Sequence, residues 1–342
     1  MEVQDFPQNV GGGRTIAQQS ELVEMPPEPC PACGETAMRT LFSATDRLYH
    51  TTNKPFLVVE CEGCRLMRLY PQPTPLELRE YYPDGYWFSP AEDKTNRLAE
   101  LYRKFVLMDH VRFVSKALAH AGDQDGLLLD VGCGGGLFLH LMRERGVQGM
   151  GLDFSLAAAA VAYERFDIPV VCATLSKAPL QEASCKVITM FHVLEHLFDP
   201  LSYLKAAHQL LTPEGRLVVQ VPNAACWQFL IMGKDWNGVD VPRHLINFRA
   251  SELESLLGFA GFEVIRRKYF SLRDNPAGLA TSIAPDLDPM ARHVRGVKET
   301  PGWKLAKDLS YLALVIAALP LTAFEAACRA GSTIMLEARK KR

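Results

Sequence analysis

The chain has 342 residues, 48% of them hydrophobic and 22% charged, with a formal net charge of −2. That length suits one large domain plus a small one, and the charge excludes the general basic field of a nucleic-acid binder. Nine cysteines are an odd number, and Cys133, Cys172, Cys185, Cys226 and Cys328 lie scattered in apolar or Gly-rich surroundings. That distribution fits a reducing cytoplasm better than a disulfide framework.

Residues 1–29 are polar, with a glycine run and Pro26-Pro27, and read as a mobile tail. The opening residues have no apolar core, so they are not a signal peptide. Two C-x-x-C knuckles follow, Cys30 with Cys33 and Cys61 with Cys64, each with a nearby glycine. Two such knuckles can close a tetrahedral four-cysteine zinc site. A redox role would not explain two pairs, and neither pair opens a helix in a βαβ pattern. A segment this small has little core of its own, so bound metal would supply its stability. Prolines 71, 73 and 75 then make a stiff connection to an aromatic cluster of Tyr81, Tyr82, Tyr86 and Trp87. The cluster suits either packing of the ribbon onto the main domain or contact with a substrate. Residues 92–121 have helical periodicity through Leu101, Phe105, Met108, Val111, Val114 and Leu118.

The stretch 127–154 organises the rest. An apolar run at 127–131, broken only by Asp130, predicts a strand buried on both faces. Gly132-Cys133-Gly134-Gly135-Gly136 permits a tight turn and close approach of a ligand. A helix at 137–145 and a second strand at 148–152 follow, ending at Asp153. This β–Gly-loop–α–β–acid unit binds a nucleotide-like ligand at the carboxyl ends of its strands. The dinucleotide fingerprint fails, because Leu137 stands at its last glycine, and no P-loop ending is present. The stretch resembles motif I of the class I S-adenosylmethionine (SAM) methyltransferases. The resemblance implies that Asp130, Gly132, Gly134 and Gly136 face the methionine half of SAM. It implies that Asp153, with Phe154 beside it, holds the ribose. A carboxylate can accept from two adjacent hydroxyls, and a glycine loop at a helix N-terminus can receive the ligand's carboxylate.

Ser155 caps a helix to about 166, and 168–172 is a third strand. The family often places an adenine-contacting acid after it; Cys172-Ala173-Thr174-Leu175 has none, leaving Thr174 or the backbone for that contact. A fourth strand at 186–191 runs into His192-Val193-Leu194-Glu195-His196, which resembles the EH motif of methyltransferases related to ubiquinone biosynthesis. The same letters form an inverted zincin pattern, but His192 ends a strand and Pro200 starts the next helix soon after, which argues against a hydrolytic zinc site. By the resemblance His192 contacts the cofactor. A helix at 201–211 and a fifth strand at 216–221 precede a loop with Trp227, Trp236, Asn237, Asp240, Arg243 and His244. A loop there borders the ligand site by topology. Residues 251–270 give a helix and a sixth strand, and 333–338 fits the last, antiparallel strand of the family. Residues 309–324 carry no charge, yet are short for a membrane span of roughly 20 residues. A buried helix or lid is the plainer reading, and peripheral contact with a membrane interface is the other.

Knuckles, aromatic linker and motif I in this order resemble a subset of class I methyltransferases with an N-terminal zinc ribbon, some acting on nucleotide-activated sugars. The expectation is an α/β fold with a doubly wound, seven-stranded, mostly parallel sheet. Its domains are the tail, a zinc-ribbon segment with linker at 30–90, and a methyltransferase domain at 91–342 with a variable, apolar insertion at about 271–324. The expected activity is methyl transfer from SAM, with structural zinc, to a small-molecule acceptor: a nucleotide-activated sugar, or a cell-envelope or secondary-metabolite precursor. His244 is the expected base, with His196 and Glu195 as the other acid–base candidates. Arg243 is expected to anchor an anionic acceptor, with Trp236 and Tyr86 lining its site. A non-catalytic scaffold and an NAD-binding oxidoreductase are the competing classes. The oligomeric state does not follow from the sequence.

Overall fold

The computed structural model describes residues 28–83, 97–122 and 126–341. Tyr86, Trp87 and nearly all of the expected tail lie outside them. The chain begins with β1 (Met38–Ala44), β2 (Phe56–Cys61), β3 (Met67–Tyr70) and a short helix, α1 (Pro75–Glu80), closed by a capping box between Thr74 and Glu77. The long helix α2 (Arg97–His120) leads to β4 (Leu127–Val131), α3 (Leu137–Arg143), β5 (Gly149–Asp153), α4 (Leu156–Phe166) and β6 (Val170–Cys172). Then come β7 (Cys185–Phe191), α5 (Pro200–Leu210), β8 (Leu211–Pro222), α6 (Trp227–Met232), β9 (Ile246–Asn247), α7 (Ala250–Phe259) and β10 (Phe262–Lys268). Three helices, α8 (Asn275–Ile283), α9 (Pro289–Val294) and α10 (Pro301–Ala327), precede β11 (Thr333–Lys340).

The main sheet has seven strands in the order β10-β11-β8-β7-β4-β5-β6. The β4, β5, β6, β7 and β8 strands pair in parallel, while β11 inserts antiparallel between β8 and β10. This is the expected sheet. The central strands are buried on both faces, with Leu128, Leu129, Val187, Ile188, Val218 and Val219 nearly inaccessible, as parallel strands covered by helices must be. The strand β8 starts earlier than expected. Leu211 pairs with Cys185, and the register shifts before Val187 meets Arg216. The expected face of α2 is partly displaced: Val111 and Val114 are buried, but Leu101 and Phe105 are exposed. His110, wholly buried against the Phe191 ring, completes that face, and a polar residue in the core is invisible to hydrophobic periodicity.

The ribbon is not a free-standing module. Its sheet runs β1-β2-β3-β9, and β9 comes from the loop after β8. Met67 pairs with Asn247 and Arg68 with Ile246. Phe56, Val58, Met67 and Leu69 share one apolar core with Val219, Val221, Leu245 and Phe248. The insertion is helical: α10 runs unbroken through Pro320.

Candidate functional site

The glycine loop follows from its backbone. Gly132, Gly134 and Gly136 have φ of 73°, 51° and 76°, in the left-handed region that favours glycine. A Cβ at Gly132 would meet Val193, and one at Gly136 would meet Ala162 on α4, whereas Gly134 faces open space. Asp153, at the end of β5, accepts from the Gly134 backbone at 2.9 Å and from Ser155 at 2.8 Å. It therefore fixes the loop while keeping lone pairs for two further donors. Burial raises its pKa, against the backbone hydrogen bonds. Asp130 is also buried; burial lifts it to about 7, although it accepts from Thr189 Oγ1 at 2.6 Å. Both acids thus stand at the carboxyl ends of adjacent strands beside an open backbone cradle, a fit for the hydroxyls and the cationic amine of SAM. Phe154 is 63% exposed next to Asp153. Thr174 is exposed where β6 leads into a turn and contacts Ser176 at 3.4 Å.

His192 follows β7 with a left-handed φ of 56°. Its Nδ1 lies 3.0 Å from Glu195 Oε1 and its Nε2 3.5 Å from Asp274. Burial opposes its charged form, but Asp274 and Glu195 outweigh burial and raise its pKa to about 9. Asp274 was not among the expected residues. It lies in the variable segment, and only the fold brings it to β7.

Glu195, His196 and His244 converge, with one ligand-type atom from each within 4.8 Å of the others. The His196 and His244 rings meet edge to face at 4.7 Å. His244 Nδ1 donates to the Gly238 carbonyl at 2.8 Å, which leaves the lone pair on Nε2, 3.9 Å from an Asp240 carboxylate oxygen. His196 Nδ1 lies 2.9 Å from the Tyr82 hydroxyl and 3.1 Å from the Arg243 carbonyl. Burial, then His244, lowers the His196 pKa to about 4. Glu195 is buried, and among the described residues its Oε2 has no hydrogen-bond partner. Two imidazoles and a carboxylate could also hold a divalent ion, but their place at the carboxyl end of β7 suits proton transfer equally.

Arg243 requires a correction. It is fully buried. Its guanidinium donates to Asp46 at 2.8 and 2.9 Å, to Asp240 at 2.7 Å and to the Tyr81 carbonyl at 3.2 Å, and it lies over the Tyr49 ring. Burial opposes ionisation of Asp46, but Arg243 prevails and holds it at about 2. A guanidinium so enclosed ties the ribbon to the loop and cannot reach an acceptor. Trp236 is likewise buried, against Phe229, although it lines a cleft with Arg47, Lys234 and Asn237.

The four knuckle cysteines lie apart from this site. Their sulfurs all fall within 4.8 Å of one another, with Cys30–Cys64 at 3.6 Å and Cys33–Cys61 at 3.5 Å. Zn–S bonds of about 2.3 Å in a tetrahedron set sulfurs about 3.8 Å apart, so the cluster fits a four-thiolate zinc site.

A family model described as a methyltransferase domain matches residues 98–267. A ubiquinone biosynthesis O-methyltransferase of Pseudomonas paraeruginosa is 30% identical over 180 residues, covering 49% of this chain and 77% of that protein. A probable S-adenosylmethionine-dependent methyltransferase of Mycolicibacterium smegmatis is 31% identical over 141 residues, covering 40% of this chain and 52% of that one. Among solved structures, a SAM dependent methyltransferase from Archaeoglobus fulgidus is 18% identical with a TM-score of 0.45, over 70% of this chain and 93% of that one. With its sheet order, its glycine loop between Asp130 and Asp153, the methyltransferase-domain match and the 30% identity to the ubiquinone biosynthesis O-methyltransferase, the chain belongs to the class I SAM-dependent methyltransferases.

Proposed function

We propose that the enzyme methylates a small-molecule acceptor whose reacting group must lose a proton, with His244 as the base. The observation that carries this is the convergence of Glu195, His196 and His244, with Tyr82 reaching in from the ribbon side. The sulfonium methyl of SAM is already activated. The protein has to align the nucleophile with it, exclude water and remove one proton. His244 keeps its lone pair on Nε2 because Gly238 holds its Nδ1 hydrogen, and the Asp240 carboxylate 3.9 Å from Nε2 favours the imidazolium that would form. His196, depressed to about 4 by burial and by His244, is neutral and too weak a base at neutral pH, so it positions Tyr82 and the loop. Glu195 orients His192.

The acceptor class we infer is a nucleotide-activated sugar or a related cell-envelope precursor. The support is the resemblance carried by knuckles and linker, together with Arg47 and Lys234 in the cleft where ribbon and loop meet. We further propose that the four cysteines bind one zinc ion whose role is structural. Incubating the full chain with methyl-labelled SAM and cell extract, then separating sugar-nucleotide, lipid and protein fractions, tests the acceptor. Label among sugar nucleotides or lipid-linked sugars is expected, and label confined to protein would overturn this acceptor class.

A further inference from the structure

The 27-residue helix α10 is long and apolar enough to cross a membrane, yet only 22% of its most apolar window is buried. Its buried residues, Val315, Ala318, Thr322 and Glu325, recur every three or four positions and so form one stripe. That stripe is fastened to the body. Tyr311 reaches Thr281 at 2.9 Å, and Gln228 donates to the Glu325 carboxylate at 2.7 Å. Outside that stripe Leu305, Leu309, Leu312, Ile316, Leu321 and Phe324 are each 43–60% exposed. The neighbouring α6, whose Trp227 ring lies 5.8 Å from Phe324, adds Leu230 and Ile231 at 72% and 83%.

We propose that this face docks on an anionic lipid bilayer, with α10 lying in the interface. A helix held to the fold along one stripe cannot span while it stays packed. It can lie flat, with its apolar side toward the acyl chains. Charge decides for lipid over a second copy of the chain. The protein is net negative, but residues 289–330 hold six Lys and Arg against three Asp and Glu. Arg292, Arg295 and Lys307 pair with Glu299, Asp308 and Asp286, Glu325 is buried, and Lys298 and Arg329 stand exposed at the two ends of the helix. Trp303, 61% exposed in the first turn, has the amphipathic ring that settles at headgroup level. The inference does not depend on the acceptor.

The test is co-sedimentation of the full chain with phosphatidylcholine vesicles and with mixed phosphatidylcholine–phosphatidylglycerol vesicles, with Trp303 fluorescence as a second readout. Binding to the mixed vesicles should exceed binding to the neutral ones by about tenfold or more. The emission should shift to the blue, and the shift should vanish in Trp303→Phe. Leu312→Glu with Ile316→Glu should remove vesicle binding while leaving SAM affinity unchanged, which shows that the variant is folded; Leu309→Glu alone is the milder substitute. A protein that stays in the supernatant with both vesicles would overturn the proposal. So would equal binding to both, or a dimer that the same glutamates dissociate.

Discussion

Asp153 accepts one backbone hydrogen bond from Gly134 in the glycine loop and one from Ser155 at the start of α4, and we propose that it takes the ribose hydroxyls of SAM. Its loss would leave two hydroxyls unpaired in a partly buried site, at about 1–3 kcal/mol. Asp153→Ala should therefore weaken SAM binding about 10- to 100-fold by calorimetry, and unchanged affinity in a folded variant would contradict the assignment. His192 makes a pH prediction. Its pKa is raised to about 9 in the fold, against about 6.5 when unfolded. The raised value means that its pairing with Asp274 and Glu195 stabilises the protein fully below pH 6.5, and that this part is lost as pH climbs through 9. The melting temperature of the wild type should fall across that window relative to His192→Asn; parallel profiles would rule out the imidazolium. Residues 130–153 were legible because their chemistry is written in local spacing. Arg243 was misread because Asp46 lies 197 positions away, and no periodicity connects them.

Among the elements, the strands of the main sheet announced themselves as short apolar runs between glycines and acids. The two residues of β9 did not, since so short a strand exists only because β3 lies beside it. That pairing changes what zinc is expected to do. Metal analysis should find about one zinc per chain, lost in Cys30→Ser or Cys61→Ser. Because the ribbon sheet holds the loop that carries His244, and not the glycine loop, these variants should lose turnover while binding SAM. A metal-free protein of full activity would refute the site. Arg243→Ala would strip the partner from two buried carboxylates, Asp46 and Asp240. It should cost about 3–5 kcal/mol of stability, read as a lower denaturation midpoint. A merely raised acceptor KM at normal stability would return Arg243 to the acceptor.

At the scale of the whole molecule, the chain joins three functions across one core. The sheet carries the glycine loop between Asp130 and Asp153, the ribbon side delivers Tyr82 to His196, and the loop after β8 carries His244 to the same point. The fold class was readable because the glycine loop and its two flanking acids lie within one βαβ stretch. The acceptor half was readable only as a set of candidate histidines, because it is assembled from segments more than a hundred residues apart, such as Tyr82 and His196. The most direct test is methyl transfer from labelled SAM to the acceptor fraction by the wild type, His244→Ala and His196→Ala, with SAM affinity measured alongside. A lost general base lowers the rate by about 10²–10⁴, so His244→Ala should fall by that order with SAM affinity nearly intact. Normal turnover by His244→Ala, beside a folded, SAM-binding and inactive His196→Ala, would contradict the account and move the base to His196.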